Sequence, residues 1–249
     1  MKLSSVLTVA VATLLSFSAG AQVKKTAAKK TVTTKTAAKK TAAKKPVLAA
    51  AAAKDTSVRI KIVTDSGTMI VKLYDSTPLH RDNFVKLVKQ GFYDSLMFHR
   101  VIPGFMIQGG DPLSKNAPAG TMLGNGGDDM ERIPAEFRST LIHKRGVLAA
   151  ARDDNPAKAS SACQFYLVEG KPVTDQELSM MEARTAKKYS AAERDIYKKQ
   201  GGTPFLDQGY TVFGEVESGM EVIDKIANVP RDQANRPLGD VRMYMEVVK

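Results

Sequence analysis

The sequence predicts a mainly β domain, a barrel or a sandwich, over residues 57–249. Three observations carry that prediction. Short runs with period-two alternation recur between Gly, Pro and Asp punctuation; helical spacing is confined to two segments of that frame; and one stretch rich in helix formers, 172–202, breaks the strand rhythm. A chain of this length can enclose one substantial core.

The elements follow in order. In "VRIKIVTDSGTMIVKLY", Val58, Ile60 and Ile62 alternate with Arg59 and Lys61, and Met69, Val71 and Leu73 resume the pattern after Asp65-Ser66-Gly67, which predicts a β-hairpin. From Thr77 to Gln90 the period changes. Phe84, Leu87 and Val88 stand at helical spacing, with Pro78 near the start and Gly91 just past the end, so a helix packed on the sheet is expected. "GVLAAA", "QFYLVE", "YTVFGEV" and the terminal "VRMYMEVV" read as short strands, and a second helix is expected over Met220 to Ala227, ended by Pro230. The 172–202 stretch carries two capping-box pairs, Thr174 with Glu177 and Ser190 with Glu193. They predict helices over about 175–188 and 191–199, stopped by Gly201-Gly202, that decorate the domain as an insertion, with Met180-Met181 used in packing.

Ahead of the domain, Lys2 precedes an apolar run from about Val6 to Phe17 and then Ala19-Gly20-Ala21. That is the outline of a secretory signal over residues 1–21, with a core shorter than the roughly 20 apolar residues of a membrane span. Export is expected; the alternative is a membrane tether formed by an uncleaved signal. Residues 22–56 form a Lys/Ala/Thr-rich linker, expected to be disordered. Residues 1–54 hold eleven of the 37 basic side chains and no acid, which leaves 26 basic against 26 acidic side chains in the remainder. The basicity belongs to the tail, so it argues for a solvated spacer or contact with an anionic envelope surface, and against a nucleic-acid-binding domain.

A single cysteine, Cys163, rules out an intramolecular disulfide and reads as a buried, inert side chain. His80, His99 and His143 lack metal-ligand spacing, Asp128-Asp129 reads as a solvated turn, and neither Gly109-Gly110 nor "GNGGDD" fits a phosphate loop. No metal and no cofactor is expected.

The functional question sits in "FHRVIPGFMIQGGD", Phe98 to Asp111. Arg100 heads an apolar run, and a charge in such company is paired, exposed in a cleft, or used. A structural pair with Asp111 or Glu136 is the alternative to a functional arginine, whereas His99 reads as a packed or hydrogen-bonded ring. With Phe98, His99, Arg100, Pro103, Gly104, Phe105, Gln108, Gly109, Gly110 and Asp111 in place, the segment resembles the signature of the cyclophilin family of peptidyl-prolyl isomerases. "VLAAAR", "SSACQFYLVEG" and "GGTPFLDQGYTVFGEV" resemble the family's later blocks in the same order.

The resemblance implies a closed antiparallel cyclophilin-like β-barrel of about eight strands capped by two helices, with the helical pair inserted. It implies a monomer that accelerates rotation about X-Pro bonds in unfolded or exported polypeptides. With the short signal over residues 1–21, it implies export to a bacterial periplasm. By resemblance Arg100 is the catalytic residue, and Phe105, Met106, Gln108, Ala151, Arg152, Gln164, Tyr166, Phe205, Leu206 and Tyr210 bind substrate. Arg152, Phe205 and Tyr210 stand where the best-known eukaryotic members carry asparagine, tryptophan and histidine, which implies weak binding of cyclosporin-like cyclic peptides with catalysis retained. A module of the same fold that only holds proline-containing segments is the competing reading.

Elementary chemistry makes the arginine intelligible. Rotation about a peptide bond faces a barrier of about 18–20 kcal/mol because resonance must be broken. In the twisted amide the prolyl nitrogen regains a lone pair, which a guanidinium can meet with a hydrogen bond that the planar amide cannot accept.

Overall fold

The computed structural model describes residues 57–185 and 187–248. The expected signal over 1–21 and linker over 22–56 lie outside the described residues. Eight strands form one antiparallel sheet: β1 (Arg59–Thr64), β2 (Gly67–Leu73), β3 (Arg100–Ile102), β4 (Met106–Gly109), β5 (Val147–Ala150), β6 (Phe165–Val168), β7 (Val212–Ser218) and β8 (Met243–Val248). Their order across the sheet is β3-β4-β6-β5-β7-β2-β1-β8. The sheet curls into a half-barrel whose two edges are joined by the chain just ahead of β3 and β8 and not by a ladder between those strands. There Phe98 N–H donates to Val241 C=O at 2.9 Å and Met243 N–H to Leu96 C=O at 2.8 Å, around the Met97–Arg242 bridge.

The hairpin of β1 and β2 pairs Thr64 with Gly67 around Asp65-Ser66, and Ile60, Ile62, Met69, Val71 and Leu73 point into the core. Two helices, α1 (Pro78–Lys89) and α4 (Met220–Ala227), cover that core with Phe84, Leu87 and Val88 from one and Val222, Ile223 and Ile226 from the other. Thr77, the residue before α1, makes no capping bond through its side chain. The buried carboxylate of Glu136 does so instead, accepting from Leu79 N–H at 3.2 Å and His80 N–H at 3.0 Å, while His80 Nδ1 lies 2.7 Å from the same group.

The inserted segment forms α2 (Asp175–Arg184) and α3 (Ala191–Lys199), both with complete capping boxes. The expected first helix, 175–188, ends four residues early. Tyr189 is needed elsewhere: its ring is buried against Tyr197 with centroids 5.6 Å apart, and its N–H donates to Glu182, so the chain leaves helical geometry at Thr185 to deliver it. Ile142, Val173, Leu178, Tyr189 and Tyr197 make a small separate core that Met181 joins while Met180 stays exposed. Because the Ser190 hydroxyl accepts from Glu193 N–H, Ser190→Ala is expected to cost about 1 kcal/mol. In a domain of this size that reads as a loss of roughly 2–4 °C in Tm by calorimetry.

Sheet geometry creates the surface on which a site can form. On β4, β5 and β6, Ile107, Leu148, Ala150, Phe165 and Leu167 face the barrel interior. Side chains alternate along a strand, so Met106, Val147, Ala149, Tyr166 and Val168 form a second apolar cluster on the outer face.

Candidate active site

Register places one residue from each of five neighbouring strands in a single transverse row: Arg100 opposite Gln108, Gln108 opposite Tyr166, Tyr166 opposite Ala149, and Ala149 opposite Val212. Directly opposed side chains on one face are the closest neighbours a sheet offers. Arg100 Nη1 accordingly donates to Gln108 Oε1 at 3.2 Å, and Gln108 Nε2 donates to Gln164 Oε1 at 3.1 Å. Gln164 Nε2 is itself held by Gly124 C=O and Gly126 C=O, each at 2.9 Å. Every amide in this chain is therefore oriented, and the guanidinium at its end is fixed.

Above the row lies a cleft of about 100 Å³ lined by Arg100, Phe105, Met106, Gln108, Ala151, Arg152, Tyr166, Leu206 and Tyr210. Gln164 lies beside it and lines an adjoining cleft with Gln108, Ala151 and Arg152. Phe205 is placed at the rim, half-exposed, with its ring centroid 5.5 Å from that of Phe105. Phe105 and Met106 are presented by the β3–β4 turn, where Glu169 at the end of β6 accepts from Gly104 N–H and both Glu169 N–H and Gly170 N–H donate to Phe105 C=O.

Arg100 has no carboxylate partner among the described residues. Asp111 accepts from Leu113 N–H and Gly124 N–H, and Glu136 serves α1, so the structural pairing weighed for Arg100 is absent. Half-burial lowers the pKa of the guanidinium from its ordinary value without discharging it at neutral pH. Arg152 uses its side chain internally: Nε donates to Gly209 C=O at 2.9 Å, and the guanidinium carbon stands 4.6 Å over the Tyr210 ring. Its main-chain N–H and C=O make no intramolecular hydrogen bond among the described residues.

Other motif residues are structural. Gly110, at φ +92°, passes so close to Cys163 that an added Cβ would lie 2.2 Å from its carbonyl oxygen. Burial pushes the Cys163 thiol up to about 11, consistent with an inert side chain. Asp128 and Asp129 are exposed in a turn.

His99 is packed, with neither ring nitrogen bonded among the described residues. Burial, opposed by Asp111 and the nearby Met97 main chain and aided more weakly by Arg100 and Arg236, pushes its imidazole down to about 4. Between pH 6.5 and 4 the unfolded chain takes up this proton and the folded one does not, so stability present above 6.5 is lost as pH falls. About 3 kcal/mol is involved, and His99→Phe should flatten that limb of a denaturant-derived stability profile by about one proton. The burial-lowered His80 supplies a remaining slope of the same sign.

Sequence reasoning assigns no supporting role to His143, read there only as lacking metal-ligand spacing, nor to Asp207, Tyr197 and Glu169, which support the cleft from behind. Their partners lie 10 to 65 residues away along the chain, and no local pattern announces such pairs.

Comparison with known proteins agrees with this geometry. The sequence model of the family described as cyclophilin type peptidyl-prolyl cis-trans isomerase/CLD matches residues 59–247. A Staphylococcus aureus (strain COL) protein named as a candidate peptidyl-prolyl cis-trans isomerase is 34% identical over 185 residues, covering 74% of this chain and 88% of that one. A Streptococcus pyogenes serotype M6 protein, named as a candidate bifunctional phosphatase/peptidyl-prolyl cis-trans isomerase, is 34% identical over 189 residues; these cover 75% of this chain and only 37% of that longer protein. Among solved structures, a Cryptosporidium parvum cyclophilin type peptidyl-prolyl cis-trans isomerase, crystallised in the presence of the dipeptide Ala-Pro, superposes with a TM-score of 0.55. It shares 22% sequence identity over 77% of this chain and 99% of its own, which speaks to the fold.

Proposed function

Because this chain belongs to the cyclophilin-type peptidyl-prolyl cis-trans isomerase family, we propose that it accelerates X-Pro rotation in unfolded or exported polypeptides, with Arg100 stabilising the twisted amide at the prolyl nitrogen. The observation that carries this reading is a guanidinium with no acidic partner, tethered at one nitrogen by Gln108, beside an apolar cleft. Phe105, Met106, Leu206 and Tyr210, with the Tyr166 ring, would enclose the proline ring. The tether leaves the remaining donors of Arg100 free for the substrate. The unpaired main-chain groups of Arg152 support a grip on the substrate backbone that its side chain does not supply.

Magnitudes set the share of each part. Raising an exchange rate from about 0.01 per second to about a thousand per second removes roughly 7 kcal/mol of barrier. One preorganised donor is worth about 3–4 kcal/mol. The remainder is assigned to desolvation and to a cleft shaped for the twisted form.

Export through residues 1–21, and hence a clientele of newly translocated chains, belongs to the same proposal and is supported by the amino-acid pattern there. The deciding experiment is NMR exchange spectroscopy on a short X-Pro peptide with the full chain. Line-broadening exchange at catalytic enzyme concentrations supports an isomerase; binding with an unchanged exchange rate would instead leave a module that holds proline segments.

A further inference from the structure

Behind the cleft, four buried polar side chains from distant parts of the chain form one continuous relay. Tyr197 on α3 donates its hydroxyl to Asp207 Oδ2 at 2.7 Å. Asp207 Oδ1 lies 2.9 Å from His143 Nδ1 and also accepts from the His143 main-chain N–H at 2.8 Å. His143 Nε2 lies 3.0 Å from the Tyr166 hydroxyl. With Nδ1–H donating to the carboxylate it faces, Nε2 stands where it can accept from Tyr166 O–H, so that each hydroxyl in the relay has an acceptor.

The relay joins the insertion to the cleft wall. Tyr197 belongs to the inserted helices; Tyr166 sits in the transverse row, its ring edge-on to Tyr210 with centroids 6.0 Å apart. The exit of the insertion is clamped at the same point: Thr203 N–H donates to His143 C=O at 2.8 Å, and a Cβ on Gly202 would stand 2.3 Å from that oxygen. The turn that follows, Pro204–Leu206, carries Phe205 and Leu206 of the cleft and accepts the Tyr189 hydroxyl at Pro204 C=O. A buried polar network is seldom more stabilising than an apolar one of equal volume, but once fully satisfied it permits a single arrangement. A phenyl ring would fill the wall equally well. The hydroxyl adds only an anchor, and its burial would be unfavourable without a partner.

We propose that Tyr197, acting through Asp207 and His143, is a positioning residue for the proline-binding wall, so that the inserted helices set the orientation of the Tyr166 ring. This rests on the reading of the cleft as the proline site. The ring holds the substrate throughout rotation, so loosening it weakens planar and twisted forms alike and raises KM more than it lowers kcat.

The test is a double-variant cycle in the full chain with Tyr197→Phe, Tyr166→Phe and the pair, below the melting temperature of each. For an X-Pro peptide, kcat and KM come from exchange spectroscopy, peptide Kd from the same titration, and the His143 ring nitrogens are followed by ¹⁵N NMR. Tyr197→Phe is expected to raise KM and Kd roughly threefold to thirtyfold and to move the His143 Nε2 resonance, with the double variant no weaker than the weaker single. If Tyr197→Phe lowers only the melting temperature, leaving KM, Kd and the imidazole signals as in the wild type, or if the two effects multiply, the positioning role is wrong. A wild type that binds the peptide without accelerating exchange removes the isomerase reading alone, because Kd still reports on the wall.

Discussion

Arg100→Ala is expected to lower kcat/KM for an X-Pro peptide by roughly 100- to 1000-fold while the domain stays folded. The loss is large because Arg100 is the charged donor at the cleft that is not committed to an acid or to its own main chain. It falls on kcat, since the bond to a pyramidal prolyl nitrogen exists only in the twisted state. The fold should survive: the Arg100 side chain makes one hydrogen bond among the described residues, 3.2 Å to Gln108, whose amide keeps Gln164 as a second partner. Arg100→Lys should recover a small part of the rate, because an ammonium keeps the charge but cannot hold Gln108 and reach the substrate with a planar fork. Exchange spectroscopy reads both variants. A folded Arg100→Ala protein within threefold of wild-type kcat/KM would move the catalytic role elsewhere.

The largest effect on stability is expected from Glu136→Ala, about 3 kcal/mol. This carboxylate, 7% exposed, accepts from Leu79 N–H, His80 N–H and the His80 ring. Two of those donors are first-turn N–H groups of α1, whose preceding residue Thr77 offers no side-chain cap. Alanine leaves the buried His80 N–H and ring unmet and the part-buried Leu79 N–H without its acceptor, removes a negative charge from the positive end of the helix, and opens a void beneath His80. Glu136→Gln keeps one acceptor oxygen and should lose about half as much. Urea unfolding followed by circular dichroism measures both, with the m-value constant if the denatured state is unchanged. A Glu136→Ala midpoint equal to that of the wild type would show that water or Thr77 can replace the cap.

Much of the frame was legible in the residues. The hairpin around Asp65-Ser66, the spans of α1 and α4 and both capping boxes depend on chemistry between near neighbours in sequence, which linear order already brings together. β3 and β4 were not read as strands, because Pro103-Gly104 splits their apolar run into pieces of three and four residues inside one continuous motif. The overrun of α2 has a related cause: its composition favours helix to residue 188, and only the need to bury Tyr189 against Tyr197 ends it sooner. For the cleft, residue types were legible and neighbours were not. Arg152 stacking on Tyr210, and Phe205 lying at the rim, follow from loops that meet only when the sheet has curled.

The sequence by itself determined the local vocabulary of this protein: which residues alternate, where helices start, which segment intrudes, and which short stretch carries an arginine in apolar company. Tertiary structure decided who stands beside whom. Period-two alternation tells which face a side chain takes but is silent about partner strands, so the row Arg100, Gln108, Tyr166, Ala149, Val212 exists only once the order β3-β4-β6-β5-β7 is set. The same holds for Tyr197, Asp207, His143 and Tyr166. Each alone is an ordinary polar residue, and once buried together they serve as one another's hydrogen-bond partners.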